Sequence, residues 1–198
     1  LSPDGMKIMV SFLWPDQDGL KTRVAFYNFD SIGQTEENNQ VNLLTYDGVV
    51  APSVYFVDEQ RAVILRNNGF SVCRGTEIPE EKVSVDFEDE ILTCFHEEGK
   101  IGFIFKSDKE DYKYKLKVYN LNGRCTMKKY LNMDYRKAKM MEGNILLINE
   151  KGFQVYSSRG RKRVDVTYQK AVEDVTSVPG LGKYMVLSNG HTELIRVK

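Results

Sequence analysis

The chain has 198 residues, with 28 lysines and arginines against 28 aspartates and glutamates, so its formal net charge is zero. That balance excludes a general nucleic-acid-binding protein, although a local basic patch remains compatible with it. Hydrophobic residues make up 41% and charged residues 28% of the sequence, which excludes a largely disordered chain and allows a packed core.

Neither targeting signals nor cysteines indicate a function for this chain. No apolar run approaches the roughly 18 residues of a membrane-spanning helix, and no signal peptide is visible. The chain begins with Leu1 rather than Met, so we expect a processed or shortened protein without any upstream anchor. Cys73, Cys94 and Cys125 form no disulfide framework, and we interpret them as small buried hydrophobic residues. In the blades predicted below, Cys94 and Cys125 are about 14 Å apart, too far to bridge.

A turn followed by an apolar strand, in most copies a glycine-ended turn, recurs along the whole chain. The repeat is marked by the residue that follows the turn: Lys7, Arg61, Lys100, Asn144 and Lys183, at steps of 54, 39, 44 and 39 residues. A repeat of about 40 residues that contains only strands is the sequence signature of a β-propeller. We therefore predict an all-β fold with about five visible four-stranded blades in a single partial propeller domain over residues 1–198.

The predicted blades span about residues 1–48, 49–88, 89–135, 136–170 and 171–198. In chain order, the predicted strands are Met6–Trp14 and Arg23–Phe29 in the first blade; Ser53–Val57, Arg61–Arg66 and Phe70–Arg74 in the second; Ile91–Phe95, Lys100–Lys106 and Tyr114–Asn120 in the third; Arg136–Met141, Asn144–Ile148 and Phe153–Ser157 in the fourth; and Val172–Val178, Tyr184–Leu187 and Thr192–Val197 in the fifth. Outer strands carry an aromatic residue at the end, namely Tyr46, Phe87, Tyr130 and Tyr168. The only helix candidate, Met133–Met141, is short and stands where the repeat requires a strand.

The two terminal blades are predicted to be incomplete. The turn Ser2–Gly5 occupies the place after a missing inner strand, and the chain stops before an outer strand of the last blade. We therefore expect a fragment of a ring of seven or eight blades. Open strand edges of this kind favour self-association with another copy.

Four short stretches carry a family resemblance. The motifs Ser2-Pro3-Asp4-Gly5, Val24–Phe29, Pro52–Val57 and Leu116–Asn120 together resemble an uncharacterised group of bacterial propeller-like domains, common in Gram-positive gut bacteria. The resemblance implies an extracytoplasmic propeller behind one N-terminal membrane segment, hence an anchored surface domain. It implies no catalytic residue, because the group has no established activity.

The sequence shows no catalytic or metal-binding constellation. His96 and His191 are isolated, and the chain contains neither a Gly-x-Ser-x-Gly elbow nor a glycine-rich phosphate loop. Asp16-Gln17-Asp18-Gly19 resembles the opening of a calcium loop, but the later ligands are missing and we interpret it as a polar turn. We predict no catalytic residue, no metal and no cofactor.

Two features are candidate binding elements. Arg159, Arg161, Lys162 and Arg163 cluster at a predicted hairpin, where they either form a solvated, edge-guarding turn or bind a phosphate-rich polymer, either nucleic acid or wall teichoic acid. Trp14 either stacks on a ligand or packs at a blade rim. A third pattern, Tyr112–Val118, alternates tyrosines and aliphatic residues with lysines, which predicts a strand with one wet, lysine-bearing face. The alternative is an aromatic surface on which a sugar stacks.

The function predicted from these observations is a non-catalytic binding or scaffold propeller at the bacterial cell surface. Its partner is expected to be a protein or a cell-wall glycan, with no specific nucleic acid and with membrane contact only through an upstream anchor. The alternative is a propeller hydrolase or lyase acting on polysaccharide, with Asp58, Glu59, Glu97 and Glu98 as candidate channel carboxylates. A cytoplasmic protein scaffold is the third hypothesis.

Overall fold

The computed structural model describes residues 1–17, 19–30, 39–178 and 182–196, and these residues form two compact units. Unit 1 consists of Leu1–Ile91 with Leu121–Gly123, and unit 2 consists of Leu92–Asn120 with Arg124–Lys198. Every strand pairing within the described sheets is antiparallel. The chain is therefore all-β, as its strand-only repeat predicts.

Two sheets form unit 1. The first has three strands in the order β1-β2-β3, and the second has four strands in the order β4-β5-β6-β7. Their bounds are β1 Lys7–Asp16, β2 Gly19–Asn28, β3 Gln40–Asp47, β4 Ser53–Phe56, β5 Arg61–Arg66, β6 Gly69–Arg74 and β7 Glu80–Asp86.

The remaining three sheets contain eleven described strands. Their orders are β11-β10-β9-β8, β12-β13-β14-β15 and β16-β17-β18. The bounds are β8 Ile91–Glu97, β9 Lys100–Lys106, β10 Tyr114–Asn120, β11 Cys125–Leu131, β12 Lys137–Met141, β13 Asn144–Asn149, β14 Gly152–Tyr156, β15 Lys162–Thr167, β16 Val172–Ser177, β17 Lys183–Ser188 and β18 His191–Arg196.

The strands lie where the repeat predicts them. Arg61–Arg66, Lys100–Lys106 and Tyr114–Asn120 are reproduced residue for residue, and Lys137–Met141 is a strand rather than a helix. The first and last described sheets have three strands each, as predicted. Ring size and the grouping of all blades into one domain stay predictions.

The turn that opens each repeat explains why the repeat is visible in the sequence. In the β8–β9 turn, Glu98 and Gly99 have φ angles of 43° and 74°, and in the β12–β13 turn, Glu142 and Gly143 have 50° and 69°. Two successive residues with positive φ make a turn of the I′ kind, whose twist matches that of the flanking strands. Glycine adopts positive φ at the lowest cost, so it is favoured at the second position of the turn. This explains why a glycine recurs immediately before a strand in the sequence.

Within each unit, the cores lie between the faces of consecutive sheets. In unit 2, β13 alternates between two of them: Ile145 and Leu147 join the core formed with β8–β11, whereas Leu146 and Ile148 join the core formed with β16–β18. Both faces of this strand are buried, which explains its uninterrupted apolar run. In unit 1, Met9, Val24 and Phe26 pack against Ala62, Ile64 and Cys73.

The prediction of a wet lysine face on β10 is wrong for Lys115. Its side chain is only 4% exposed, its ammonium lies 3.3 Å from Asp108, and it stands 6.0 Å from the centroid of the Phe105 ring. Tyr114, Leu116 and Val118 do pack on the opposite face. Alternation therefore identified the two faces correctly, but not the burial of the lysine-bearing face.

The cysteines are free thiols, as predicted. Cys73 is buried, but Cys94 and Cys125 are exposed, so the interpretation of all three as buried hydrophobic residues is wrong for these two.

Candidate anion-binding site

Antiparallel pairing brings several turns to one end of the sheets of unit 2. The β8–β9, β12–β13 and β14–β15 turns all lie at this end, because strands alternate in direction and these turns follow every second strand. Loops gathered at one end of a rigid scaffold are the usual place for binding residues. The predicted basic cluster belongs to this end.

The β14–β15 turn together with the first two residues of β15, residues 157–163, is here named the basic turn. Its backbone is held by Ser157, whose N–H donates to the Arg161 carbonyl (2.9 Å) and whose own carbonyl accepts from the Gly160 N–H (2.8 Å). The Ser157 hydroxyl also accepts a hydrogen bond from the Arg161 N–H at 3.2 Å. Because Ser157 is buried, these hydrogen bonds anchor the turn to the protein interior.

The four predicted cations line one cleft of about 350 Å³ at the basic turn. Lys162 is paired with Asp165, the Nζ–Oδ2 distance being 2.5 Å. This hydrogen bond raises the pKa of Lys162 and lowers the pKa of Asp165. In the described part of the chain, Arg159, Arg161 and Arg163 have no carboxylate partner. The positive charge available to a ligand is therefore that of the three arginines.

A fifth cation approaches the basic turn from the neighbouring sheet. A Cβ added to Gly160 would lie 3.4 Å from Met127 Cγ and 3.9 Å from Lys129 Cδ, so the aliphatic part of Lys129 on β11 runs beside the turn. Sequence spacing gave no hint of this residue, because it belongs to a different sheet. In the sequence, Lys129 is recognisable only as part of the Lys128-Lys129 pair.

A β-bulge sets the position of Arg163. Val155 pairs with Val164, but Tyr156 pairs with Lys162, so Arg163 is the extra residue of β15 at a register shift. A bulge redirects the side chain at the irregular position. Arg163 accordingly lines both the basic-turn cleft and a second cavity between the sheets β12–β15 and β16–β18.

Trp14 lies in unit 1. Its side chain is 55% exposed at the end of β1, opposite Lys21 of β2. The Arg23 guanidinium carbon stands 5.8 Å from the centroid of the indole ring, in cation–π contact. One face of the ring is therefore covered by Arg23, and a binding role for Trp14 stays a prediction.

The carboxylates of the enzyme hypothesis stabilise turns. Asp58 accepts from Arg61 Nε at 2.6 Å, and this bond lowers the pKa of Asp58, whereas a glycosidase general acid needs a raised pKa. Glu97 accepts from the backbone N–H groups of Glu142 (2.8 Å) and Gly143 (2.9 Å). Glu59 uses its carbonyl to accept from Lys7, and Glu98 is a positive-φ turn residue.

Metal and membrane features are absent from the described residues. Among the described residues, no three His, Cys, Asp or Glu side chains are grouped so that they could hold a metal ion. His96 lies on β8, where partial burial lowers its pKa, and His191 begins β18. The calcium-like stretch falls partly outside the described residues, since Asp18 and the Asp16 side chain are not among them. No helix of the described ranges is long and apolar enough to cross a bilayer.

Solved structures similar to this chain are β-propeller proteins. Hsv2 of Kluyvelomyces marxianus aligns with a TM-score of 0.58 at 10% identity over 89% of this chain and 56% of its own. Sqt1 of Saccharomyces cerevisiae aligns at 0.55 and 14% identity, over 97% of this chain and 58% of its own. BBS1N, solved in complex with ARL6DN, aligns at 0.52 and 11% identity, over 98% and 66%. At these identities the likeness shows the fold alone.

This chain spans a little over half the length of Hsv2 and Sqt1. A comparison with curated proteins finds no match. The sequence itself matches one family along nearly all its length, from residue 1 to residue 197. The chain therefore belongs to DUF5711, a family of unknown function, and has the all-β fold of a propeller.

Proposed function

We propose that this chain is a ligand-binding part of a non-catalytic propeller, and that its basic turn binds an anionic cell-wall polymer such as wall teichoic acid. One observation carries the proposal: three arginines without a carboxylate partner in the described chain line a single cleft on a hydrogen-bonded turn. Guanidinium groups bind phosphate oxygens through paired, charge-assisted hydrogen bonds. A turn already fixed by Ser157 loses little conformational freedom when the ligand binds.

The cell-surface location is part of the proposal. Its support is the resemblance of the sequence motifs to membrane-anchored, extracytoplasmic propeller-like domains. In that setting, phosphate-rich wall polymers are the abundant polyanions, and the zero net charge of the chain gives no reason to favour nucleic acid.

A protein partner is the second candidate. It is favoured by BBS1N, a propeller of similar fold that is described in complex with ARL6DN. The enzyme alternative is not proposed, because Asp58 and Glu97 are committed to Arg61 and to the β12–β13 turn. Self-association through open strand edges stays a prediction.

Surface plasmon resonance on immobilised wall teichoic acid tests the proposal. The double variant Arg159→Gln/Arg161→Gln is expected to bind at least about tenfold more weakly, since each charged hydrogen bond contributes on the order of 1.5–3 kcal/mol. The dependence of log affinity on log salt should also flatten by about two, one for each lost phosphate contact.

The matched control is Lys151→Gln/Lys170→Gln, which removes the same charge from exposed positions at the opposite end of the sheet β12–β15. It should bind like the unmodified chain. Equal losses in the two double variants, or no binding by the unmodified chain, would contradict the proposal. Tighter binding to single-stranded DNA would assign the basic turn to nucleic acid instead.

A further inference from the structure

A second cavity of about 450 Å³ lies between the sheets β12–β15 and β16–β18. It is called the inter-sheet cavity below, and its polar lining consists of Glu142, Asn144, Arg163, Ser177, Lys183 and Tyr184. Met141 and Leu146 add an apolar part. The volume falls within the range of about 300–1,000 Å³ in which small-molecule sites are found, and a few convergent polar groups on an apolar lining are typical of them.

Strand geometry explains why these side chains meet. Leu146 faces the core shared with β16–β18, so Asn144, two residues earlier on β13, points to the same side. Ser177 of β16 and Tyr184 of β17 are direct register partners. Arg163 joins them as the bulge residue of β15. The cavity is therefore the polar end of an inter-sheet core, held by regular strands.

Tyr184 brings a hydroxyl group to the inter-sheet cavity. Its side chain is only 8% exposed, and its ring packs against Phe153 at a centroid distance of 5.5 Å. No residue in the described ranges gives its hydroxyl a hydrogen bond. The hydroxyl is accessible from the cavity, since it is not among the buried polar atoms that lack a partner. The hydroxyl opens on a cavity where a ligand can supply that partner.

The charges around Tyr184 define the ligand chemistry. Burial raises the pKa of Tyr184, the charge of Arg163 lowers it and that of Glu142 raises it, so both side chains act on the hydroxyl. With Lys183, the lining holds two cations and one carboxylate. The Asn144 amide donates to the Glu142 carbonyl at 3.2 Å, which orients the side chain.

We propose that the inter-sheet cavity binds a small hydroxylated anion, namely a hexose that carries one carboxylate or phosphate group. Arg163 and Lys183 bind the anionic group, while the Tyr184 hydroxyl and the Glu142 carboxylate pair with sugar hydroxyls. Arg163 lines both cavities, but the other residues of the inter-sheet cavity do not line the basic-turn cleft, so this proposal can hold whether or not the basic turn binds a polymer.

Methionine methyl NMR separates the two sites in one sample. Met141 lines the inter-sheet cavity, whereas Met127 lies beside Gly160 in the basic turn. The full chain is labelled at its methionine methyl groups, assigned with Met141→Leu and Met127→Leu, and titrated with glucuronate, glucose 6-phosphate, glucose and inorganic phosphate. We expect glucuronate or glucose 6-phosphate to shift the Met141 signal in a saturable way, with glucose and phosphate alone at least about tenfold weaker.

Three variants test the assignment. Tyr184→Phe keeps the ring that packs on Phe153 and removes only the hydroxyl, and Arg163→Gln removes the charge at an exposed position. Each variant should bind the sugar acid or sugar phosphate about tenfold more weakly or worse than the unmodified chain. Arg159→Gln, a basic-turn arginine that does not line the inter-sheet cavity, is the matched control and should leave this affinity unchanged.

The opposite results overturn the proposal. These are no saturable Met141 shift with either anionic sugar, equal binding of neutral glucose or of inorganic phosphate, or an Arg159→Gln variant that weakens binding as much as Arg163→Gln. Polymer binding at the basic turn is measured separately by surface plasmon resonance, so failure of one proposal is distinguishable from failure of the other.

Discussion

At the residue scale, burial divides the three cysteines into different chemical classes. Burial raises the pKa of Cys73 to about 12 and also raises that of Cys94, which is exposed on β8. Cys125 is exposed at the start of β11, where its thiol donates to the Met127 carbonyl at 3.3 Å. Because the thiolate is the reactive form, accessibility and pKa together predict the order in which the three thiols react.

We expect the native chain to react with a thiol-specific reagent at two cysteines, Cys125 faster than Cys94, and to expose Cys73 only on unfolding. Counting modified thiols by mass spectrometry at pH 8, with and without denaturant, measures this. Cys125→Ser serves as the control and should leave one reactive thiol in the native state. Modification of Cys73 in native protein at the rate of the exposed thiols would contradict the placement of Cys73 in the unit 1 core.

At the element scale, one glycine inside a strand has a packing role. The site of a Cβ on Gly102 of β9 is already filled by the ring of Phe95 from the neighbouring strand β8. Phe95 in turn belongs to the core shared with Met140 and Ile145. A glycine in a strand interior often marks such a close approach, so the ring and the missing side chain form one packing unit.

We expect Gly102→Ala to destabilise the fold by about 1–3 kcal/mol, the usual cost of overpacking a core. Phe95→Leu in the same chain should recover part of this loss, because a smaller side chain leaves room for the new methyl group. Urea unfolding of the two single variants and the double variant gives the coupling energy of the pair. Strictly additive effects would mean that Gly102 and Phe95 do not compete for the same space.

The same scale shows what sequence patterns reveal and what they leave out. The strands could be predicted from the turns between them, because the positive φ angles at Gly99 and Gly143 favour glycine at those positions. The basic turn was also local, with Arg159 and Arg163 on one hairpin. Lys129 and Tyr184 were missed, because their approach depends on how one sheet packs on the next. Lys115 was misjudged for a related reason, since periodicity identifies a face but not its burial.

At the scale of the whole molecule, carboxylates paired with cations occur in both compact units. Hydrogen bonds from Arg61, Lys113 and Lys162 lower the pKa values of Asp58, Asp134 and Asp165, respectively, from the ordinary value of 3.8. A group whose pKa is lower in the folded than in the unfolded state contributes stability above its unfolded pKa. That contribution is lost as the pH falls through the folded pKa.

The chain should therefore keep nearly constant stability from about pH 7 to about pH 5 and lose stability below about pH 4, as the unfolded chain takes up protons that the folded carboxylates resist. Asp58→Asn/Asp165→Asn, with one change in each unit, should flatten this acid limb, because two groups no longer titrate differently in the two states. Urea midpoints from circular dichroism between about pH 3 and pH 7 measure the slope. Asp30→Asn/Asp111→Asn, which changes one exposed aspartate in each unit, is the control for charge alone. An acid limb equally steep in the unmodified chain and in Asp58→Asn/Asp165→Asn would mean that these ion pairs are too well screened by solvent to stabilise the fold.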